Sequence, residues 1–177
     1  MMSEAKKIAF LLADGFEDSE MASPYDEMVR QGHNGVIIGL ERDQELKGKK
    51  GTVSYRSHLA AREANASEYE AVIIPGGSSP AKLMNDPDVQ AFIRQADRAG
   101  TTIAAICHGP QVLAAAGLLQ GRTLTGYAGL AEEVSRAGGT FVDREVVVDG
   151  NLITSRKPED EPAFIDATLN RLGTNAW

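Results

Sequence analysis

The single cysteine of the chain, Cys107, lies where an apolar run gives way to a helical pattern. Residues 101–106 are apolar and partly β-branched, and a small-residue helical pattern begins at Pro110. A sharp strand-to-helix turn holds a nucleophile at the carboxyl edge of a sheet, facing the first amides of the helix. Because helix N-termini lower the pKa of a cysteine thiol from about 8.5, this position predicts a reactive thiol.

An inert role for Cys107 is the alternative. A lone cysteine commonly behaves as a small buried hydrophobe, and burial statistics alone favour that role. The next residues favour a turn, because Gly109 permits unusual backbone angles and Pro110 suits the first turn of a helix. The local residues therefore support the reactive and the inert interpretations about equally.

Two further segments place polar or flexible residues directly after predicted strands. Residues 14–20 contain four carboxylates, and residues 75–77 are Pro-Gly-Gly. Carboxylates commonly stabilise a first helical turn, and paired glycines commonly form turns. The functional interpretation is that one carboxylate shares a proton with the thiol while glycine amides stabilise an oxyanion. The residues themselves leave open which carboxylate that is.

The histidines further limit which kinds of catalytic or metal site the chain could form. His33, His58, His108 and the one cysteine have no metal-ligand spacing, and neither glycine-rich nucleotide-binding signature is present. We therefore expect no metal and no cofactor. His108 directly follows Cys107, and neighbouring side chains in a tight turn usually diverge, so a papain-type base is not favoured.

Composition limits the class of protein. The chain has 177 residues, is 42% hydrophobic and 24% charged, and carries a formal charge of −7. These values predict one soluble domain over residues 1–177 and no binding to nucleic acid or anionic membrane. The apolar run at residues 8–13 is too short for a signal peptide or a membrane span. One cysteine suits a cytoplasmic location.

The elements that position these residues alternate between strand and helix. Strands are predicted at residues 7–13, 35–40, 71–74, 101–106 and 123–126, with hairpins at 47–56 and 145–155. Helices are predicted at residues 17–31, 80–99, 110–116, 130–137 and 159–172, and the helix at 80–99 has an irregular first part around residues 85–87. Pro24 indicates either that the first helix is kinked or that it begins there, with Ser23 as its N-cap residue. This alternation predicts an α/β fold, a mostly parallel sheet with helices on both faces and a nucleophile elbow at Cys107.

Five short segments together resemble the PfpI family, which includes stress-related intracellular proteases and a protein deglycase. They are FEDSE at 16–20, PGG at 75–77, AICHGPQ at 105–111, EVVVDG at 145–150 and TSR at 154–156. The resemblance extends over nearly the whole chain and implies a domain core at about residues 6–172. The AICHGPQ string is its most specific part. It implies a flavodoxin-like three-layer sandwich that assembles as a homodimer or a larger homo-oligomer.

The resemblance also implies roles for individual residues. It implies Cys107 as the nucleophile, Glu20 as its protonated acid partner, Gly77 and His108 as backbone oxyanion donors, His108 as a candidate catalytic side chain, and Glu17 and Tyr127 as pocket residues.

One position departs from the family pattern. The protease-like members place an acid just after the proline that follows the glycine pair, and this acid orients the histidine of a neighbouring subunit. Here Pro80 is followed by Ala81 and then Lys82. The alanine cannot orient an imidazole, so His108 is favoured as a backbone donor, with Asp86 as the alternative acid that could reach the histidine.

The expected function is that of a stress-related cysteine enzyme acting on small reactive carbonyls or glycated proteins, like a glyoxalase or deglycase. An intracellular cysteine peptidase is one alternative. A redox sensor or holdase that works through oxidation of Cys107 is another, and a purely structural module is the last.

Overall fold

The structure, a computed structural model, describes residues 5–173 and shows strands alternating with helices as predicted. Within these residues the strands are β1 Lys7–Leu11, β2 Asn34–Gly39, β3 Glu45–Lys47, β4 Ser54–Arg56, β5 Leu59–Ala60, β6 Ala71–Ile74, β7 Thr102–Ile106, β8 Thr123–Leu124, β9 Thr140–Phe141, β10 Val147–Asp149 and β11 Leu152–Ser155. The α-helices are α1 Asp18–Arg30, α2 Ser79–Leu83, α3 Pro87–Arg98, α4 Pro110–Ala115, α5 Ala131–Arg136 and α6 Glu161–Leu172.

The central sheet of the described chain has seven strands in the order β10-β11-β7-β6-β1-β2-β5. All neighbouring pairs are parallel except β10 and β11, which form the predicted antiparallel hairpin. Strand β1 lies between β2 and β6, so the strand order reverses beside it. Ligands of doubly wound sheets bind outside the carboxyl ends of the strands at such a reversal. The segments that follow β1, β6 and β7 therefore meet where a ligand site is expected.

Two apolar layers enclose the sheet. Because side chains alternate along a strand, Ala9 and Leu11 pack on one side of β1, and Ile8 and Phe10 pack on the other. The first layer contains apolar residues of α2, α3, α4 and α5, and the second contains those of α1 and α6. Burial on both faces explains why the central strands are continuously apolar. The predicted three-layer, flavodoxin-like α/β fold is confirmed.

The structure refines two helix predictions. The irregularity predicted around residues 85–87 is a complete break, so the segment at 80–99 forms two helices, because Asp86 caps a new start. Its Oδ1 accepts hydrogen bonds from the amides of Asp88 (2.8 Å) and Val89 (3.1 Å), and Pro87 occupies the first helical position. Helix α1 runs through Pro24 from Asp18, so the alternative start with Ser23 as N-cap residue is wrong.

Very short strands escaped prediction because two residues carry no readable period. Strand β5 extends the sheet edge beside β2, and β9 pairs with β8 in a separate two-stranded sheet. The strand predicted at 123–126 therefore lies outside the central sheet. The hairpin predicted at 47–56 is present as β3 and β4. In the described part of the chain, no helix is long and apolar enough to cross a membrane.

Candidate active site

Cys107 occupies the turn between β7 and α4. Its backbone is left-handed, with φ +60°, a conformation that is uncommon for residues other than glycine. The Cys107 amide donates to the carbonyl oxygen of Ser155 (3.0 Å), and its own carbonyl accepts from the amide of Tyr127 (2.8 Å). Backbone strain of this kind is concentrated at functional sites. The predicted elbow is thus present, and its two peptide groups are held by the last residue of β11 and by the segment that follows β8.

Gly76 lies between the thiol-bearing residue and a buried carboxyl group. Its amide donates to Oε1 of Glu20 (2.9 Å). A Cβ at this position would lie 2.6 Å from that oxygen and 2.7 Å from Cβ of Cys107. Only glycine therefore allows Glu20 and Cys107 to approach so closely from different elements.

Glu20 is completely buried at the start of α1. Its Oε1 accepts the Gly76 hydrogen bond, while its Oε2 has no hydrogen-bond partner among residues 5–173. Burial, reinforced by the negative charges of Glu17 and Glu161, raises the pKa of Glu20 to about 8. The carboxyl group is therefore mainly protonated at neutral pH, and a protonated acid can donate a hydrogen bond.

The thiol and Glu20 form a coupled pair. Burial, followed by repulsion from a Glu20 carboxylate, raises the pKa of Cys107 to about 12. Hydrogen bonds from the amides of His108 and Gly77 act in the opposite direction. The expected lowering of the thiol pKa was wrong, because burial outweighs the amides at the start of a six-residue helix. Since both groups cannot ionise together at low cost, they titrate as a coupled pair, and loss of the first proton leaves a single proton shared between them.

His108 contacts the thiol with its side chain as well as its amide. Its Nδ1 lies 3.4 Å from Sγ of Cys107, so the expected divergence of these neighbours was wrong. Neighbouring side chains point apart in an extended strand, and the left-handed backbone of Cys107 departs from that geometry. The imidazole also stacks on Tyr127, with ring centroids 4.3 Å apart. Burial and the charge of Lys49 lower the pKa of His108, so the ring is neutral at neutral pH.

Glu17 lies at the rim and is ionised, in contrast to Glu20. Its Oε1 is 3.1 Å from Nζ of Lys49, and its Oε2 is 3.1 Å from Nζ of Lys50. Burial alone would raise the pKa of Glu17, but the two ammonium groups outweigh it and hold that pKa below its ordinary value. The two lysines were missed by the sequence analysis. The only signal was a Lys- and Gly-rich hairpin, which resembles any solvated arm.

The candidate residues thus fall into two groups. Cys107, Glu20, Gly77 and His108 meet at the carboxyl edge of the sheet, while Glu17 and the half-exposed Tyr127 lie around them. Ala81 is exposed on α2. Between residues 5 and 173, no group of three or more His, Cys, Asp or Glu residues is arranged to hold a metal ion.

The fold and the elbow define a flavodoxin-like α/β protein with a cysteine at the switch point of its sheet. The model of the DJ-1/PfpI family matches residues 6–171, and the chain belongs to this family. It is 42% identical over 170 residues to Protein/nucleic acid deglycase 2 of Escherichia coli (strain K12), covering 96% of this chain and 99% of that protein. It is 40% identical over 159 residues to Deglycase PfpI of Pyrococcus furiosus, covering 90% of this chain and 95% of that protein.

A solved structure agrees with this assignment. A two-domain protein from Anabaena variabilis, with DJ-1/ThiJ/PfpI-like and ferritin-like domains, matches with a TM-score of 0.93 and 40% identity. The match covers 95% of this chain and 48% of that one, so the chain spans about half of the two-domain protein.

Proposed function

We propose that this chain is a cysteine-dependent enzyme that acts on reactive carbonyls or early glycation adducts. The observation that carries the proposal is the approach of Cys107 to the buried, protonated Glu20 across Gly76. A nucleophile paired with a proton donor suits addition to a carbonyl group. Relatives that are 42% and 40% identical are named deglycases, which supports the same class of substrate.

The first step of the proposed mechanism starts from the form of the coupled pair that has lost one proton to solvent, in which Glu20 keeps its proton and Cys107 is a thiolate. This thiolate adds to a carbonyl carbon. The new C–S bond pushes the carbonyl π electrons onto oxygen, where the amides of Gly77 and His108 stabilise the negative charge. Glu20 donates its proton to that oxygen, which gives a neutral thiohemiacetal and a Glu20 carboxylate. The buried carboxylate then serves as a base.

With a 2-oxoaldehyde such as methylglyoxal, an isomerisation completes the reaction. The Glu20 carboxylate accepts the proton of carbon 1, and the resulting enediol is reprotonated at carbon 2. The product is a thioester of Cys107, which water hydrolyses to a hydroxy acid and the free thiol. No external oxidant is needed, because carbon 1 is oxidised while carbon 2 is reduced. Tyr127, stacked on His108, and the charged Glu17 would shape the entrance for the substrate.

The test is turnover of methylglyoxal by purified variants. We expect Cys107→Ala to lose at least about a thousandfold, and Glu20→Gln to lose about a hundredfold through its proton transfer. Glu161→Gln is the matched control, because Glu161 is also buried but accepts a hydrogen bond from Ser19 (2.6 Å). It should stay within about threefold of the wild type. Turnover by Cys107→Ala at the wild-type rate would refute the proposal.

A cysteine peptidase is the second candidate, because Nδ1 of His108 lies 3.4 Å from the thiol. Cleavage of short fluorogenic peptides that disappears in His108→Ala would favour it. Turnover of methylglyoxal without any peptide cleavage would reject it. Ala81 leaves the imidazole without the acid that protease-like members supply, so the carbonyl chemistry is preferred.

We further propose that residues 1–177 form one domain, which assembles as a homodimer or larger homo-oligomer in the cytoplasm. The family resemblance supports the assembly, and the formal charge of −7 argues against an electrostatic partner such as nucleic acid or anionic membrane. Light scattering on the purified chain measures the assembly directly. A monomer at all concentrations would contradict it.

A further inference from the structure

We propose that Lys49 is a positioning residue for Cys107, holding a positive charge toward the thiol from a hairpin turn that Asp18 fixes in place. This inference rests on the proposed function, since it concerns the same nucleophile. The turn in question, residues 48–52, joins β3 to β4 and is called the clamped turn below.

Asp18 binds the clamped turn through both carboxylate oxygens. Oδ1 accepts from the amide of Lys50 (2.9 Å), and Oδ2 accepts from the amide (2.9 Å) and hydroxyl (2.7 Å) of Thr52. Burial opposes the charge, but these donors lower the pKa of Asp18 to about 2. The carboxylate also packs directly against the backbone of Gly48. A buried, ionised side chain with three donors holds a surface turn in one conformation.

Phe16 connects the clamped turn to the glycine loop at Gly77. The backbone of Phe16 forms a β-bridge to Gly48 on one side and another to Gly77 on the other. Its carbonyl accepts from the amide of Lys49 (2.9 Å), and its ring is completely buried. Lys49 and the oxyanion amide of Gly77 are thus fixed to the same buried residue. The position of Lys49 relative to the thiol site is therefore set by packed backbone.

Two ammonium groups and two carboxylates lie at the rim. Lys49 and Lys50 both pair with Glu17, while the Asp18 carboxylate accepts its hydrogen bonds from the backbone and the Thr52 hydroxyl of the clamped turn. The ammonium group of Lys49 favours the thiolate of Cys107 and disfavours protonation of His108.

The other titratable groups around the thiol act mostly against its ionisation. Glu20 on α1 repels a thiolate when it is charged. The negative charges of Glu17 and Glu161 in turn raise the pKa of Glu20. The negative charge of Glu133 on α5 partly opposes the lowering of the His108 pKa, but the imidazole is still neutral. Tyr127 covers one face of the imidazole by stacking. The positive charge of Lys49 opposes these effects. Replacing Lys49 by a neutral residue should therefore raise the pKa of the thiol and lower the fraction of thiolate.

The experiment measures the rate of Cys107 alkylation by iodoacetamide as a function of pH. Cys107 is the only cysteine of the chain, so every alkylation event reports on it. We expect Lys49→Met to react about threefold to tenfold more slowly near neutral pH, with a higher apparent pKa. Lys49→Arg, which keeps the charge, should restore the rate to within about twofold.

Lys47→Met is the matched control. Lys47 lies on the same hairpin, is exposed, and has its Nζ 3.8 Å from Glu45. It removes one positive charge without changing the rim, so its pH profile should equal that of the wild type. Equal slowing in Lys47→Met and Lys49→Met would overturn the proposal, since it would show an effect of net charge only. An unchanged profile in Lys49→Met would also overturn it.

Asp18→Asn tests the clamp with Lys49 still present. We expect slower alkylation in the same direction as Lys49→Met, because the turn no longer holds the ammonium group in place. A wild-type profile in a folded Asp18→Asn variant would refute the role of the clamp. Alkylation does not depend on turnover, so a protein that leaves methylglyoxal unchanged yet shows the Lys49 effect would contradict only the proposed function.

Discussion

Glu17 and Glu20 lie three residues apart at the start of α1, one facing the lysines of the hairpin and the other facing the partly exposed thiol of Cys107. Glu17 contacts two ammonium groups and is ionised at neutral pH. Glu20 contacts one backbone amide, is completely buried and holds its proton up to a pKa of about 8. The same type of side chain is therefore an anion at the rim and an acid inside.

The difference shows how one short segment supplies two kinds of chemistry. A carboxyl group becomes a proton donor when burial disfavours its charge, and remains a carboxylate when cations compensate the loss of water. The two states also support each other, because the negative charge of Glu17 helps to keep Glu20 protonated. Each of the following predictions disturbs one side of this comparison.

The largest effect should come from Gly76→Ala, which forces Glu20 and Cys107 apart. Its new methyl group would lie 2.6 Å from Oε1 of Glu20 and 2.7 Å from Cβ of Cys107. We expect turnover to fall at least about a hundredfold and the free energy of unfolding to fall by about 2–4 kcal/mol. Enzyme kinetics and urea unfolding measure the two effects.

Gly32→Ala is the control for that variant. Gly32 has φ +88° at the end of α1, with no atom within 4 Å of the added methyl group. It should cost about 1 kcal/mol of stability through its backbone alone and leave turnover unchanged. Equal loss of turnover in both variants would contradict the steric explanation.

Replacing Glu20 by Gln should change how stability depends on pH. The pKa of Glu20 is raised in the folded state, so the wild type gains stability from it below the unfolded pKa and loses it as pH rises toward 8. In Glu20→Gln this loss, about 2–4 kcal/mol between about pH 5 and pH 8, should disappear. Urea unfolding at several pH values measures it. The same alkaline decline in both proteins would show that Glu20 is ionised when folded.

The smallest effect should come from Glu17→Gln, with the opposite sign. The pKa of Glu17 is lowered in the folded state, so its contribution is present above the unfolded pKa and is lost as pH falls. The variant should lack this acid-side loss, which we expect to be about 1 kcal/mol because the lysines are half exposed. Unfolding curves between about pH 3 and pH 6 test this, and a steeper acid-side loss in Glu17→Gln would contradict it.

The fold was readable because its signals are local and strong. Continuous apolar strands such as β6 and β7 have only one environment that suits them, a parallel sheet covered on both faces. The sequence also indicated an irregularity at Asp86 and Pro87, where the structure separates α2 from α3, but it did not show that the helix ends there completely. The parallel pairing of β8 with β9 was not readable, since it joins segments that carry no period of their own.

The site was readable only in part. The residues around Cys107 indicated an elbow, but four nearby carboxylates were equivalent by type, and only the family resemblance pointed to Glu20. Burial then distinguishes Glu20 from Glu17, and burial is a property of the packed molecule. The contact of His108 with the thiol depends on the left-handed backbone angle of Cys107, which cannot be inferred from the residue types in the sequence.

By itself, the sequence determined the layered α/β architecture, the elbow at Cys107 and the glycines that allow close approach. These follow from residue type and period, which act over a few neighbouring positions. Only the tertiary structure decided which carboxyl group is protonated, that Lys49 and Lys50 belong to the site, and that the thiol pKa is raised. Charge and solvent exposure depend on groups that are distant in the chain, and only folding brings them together.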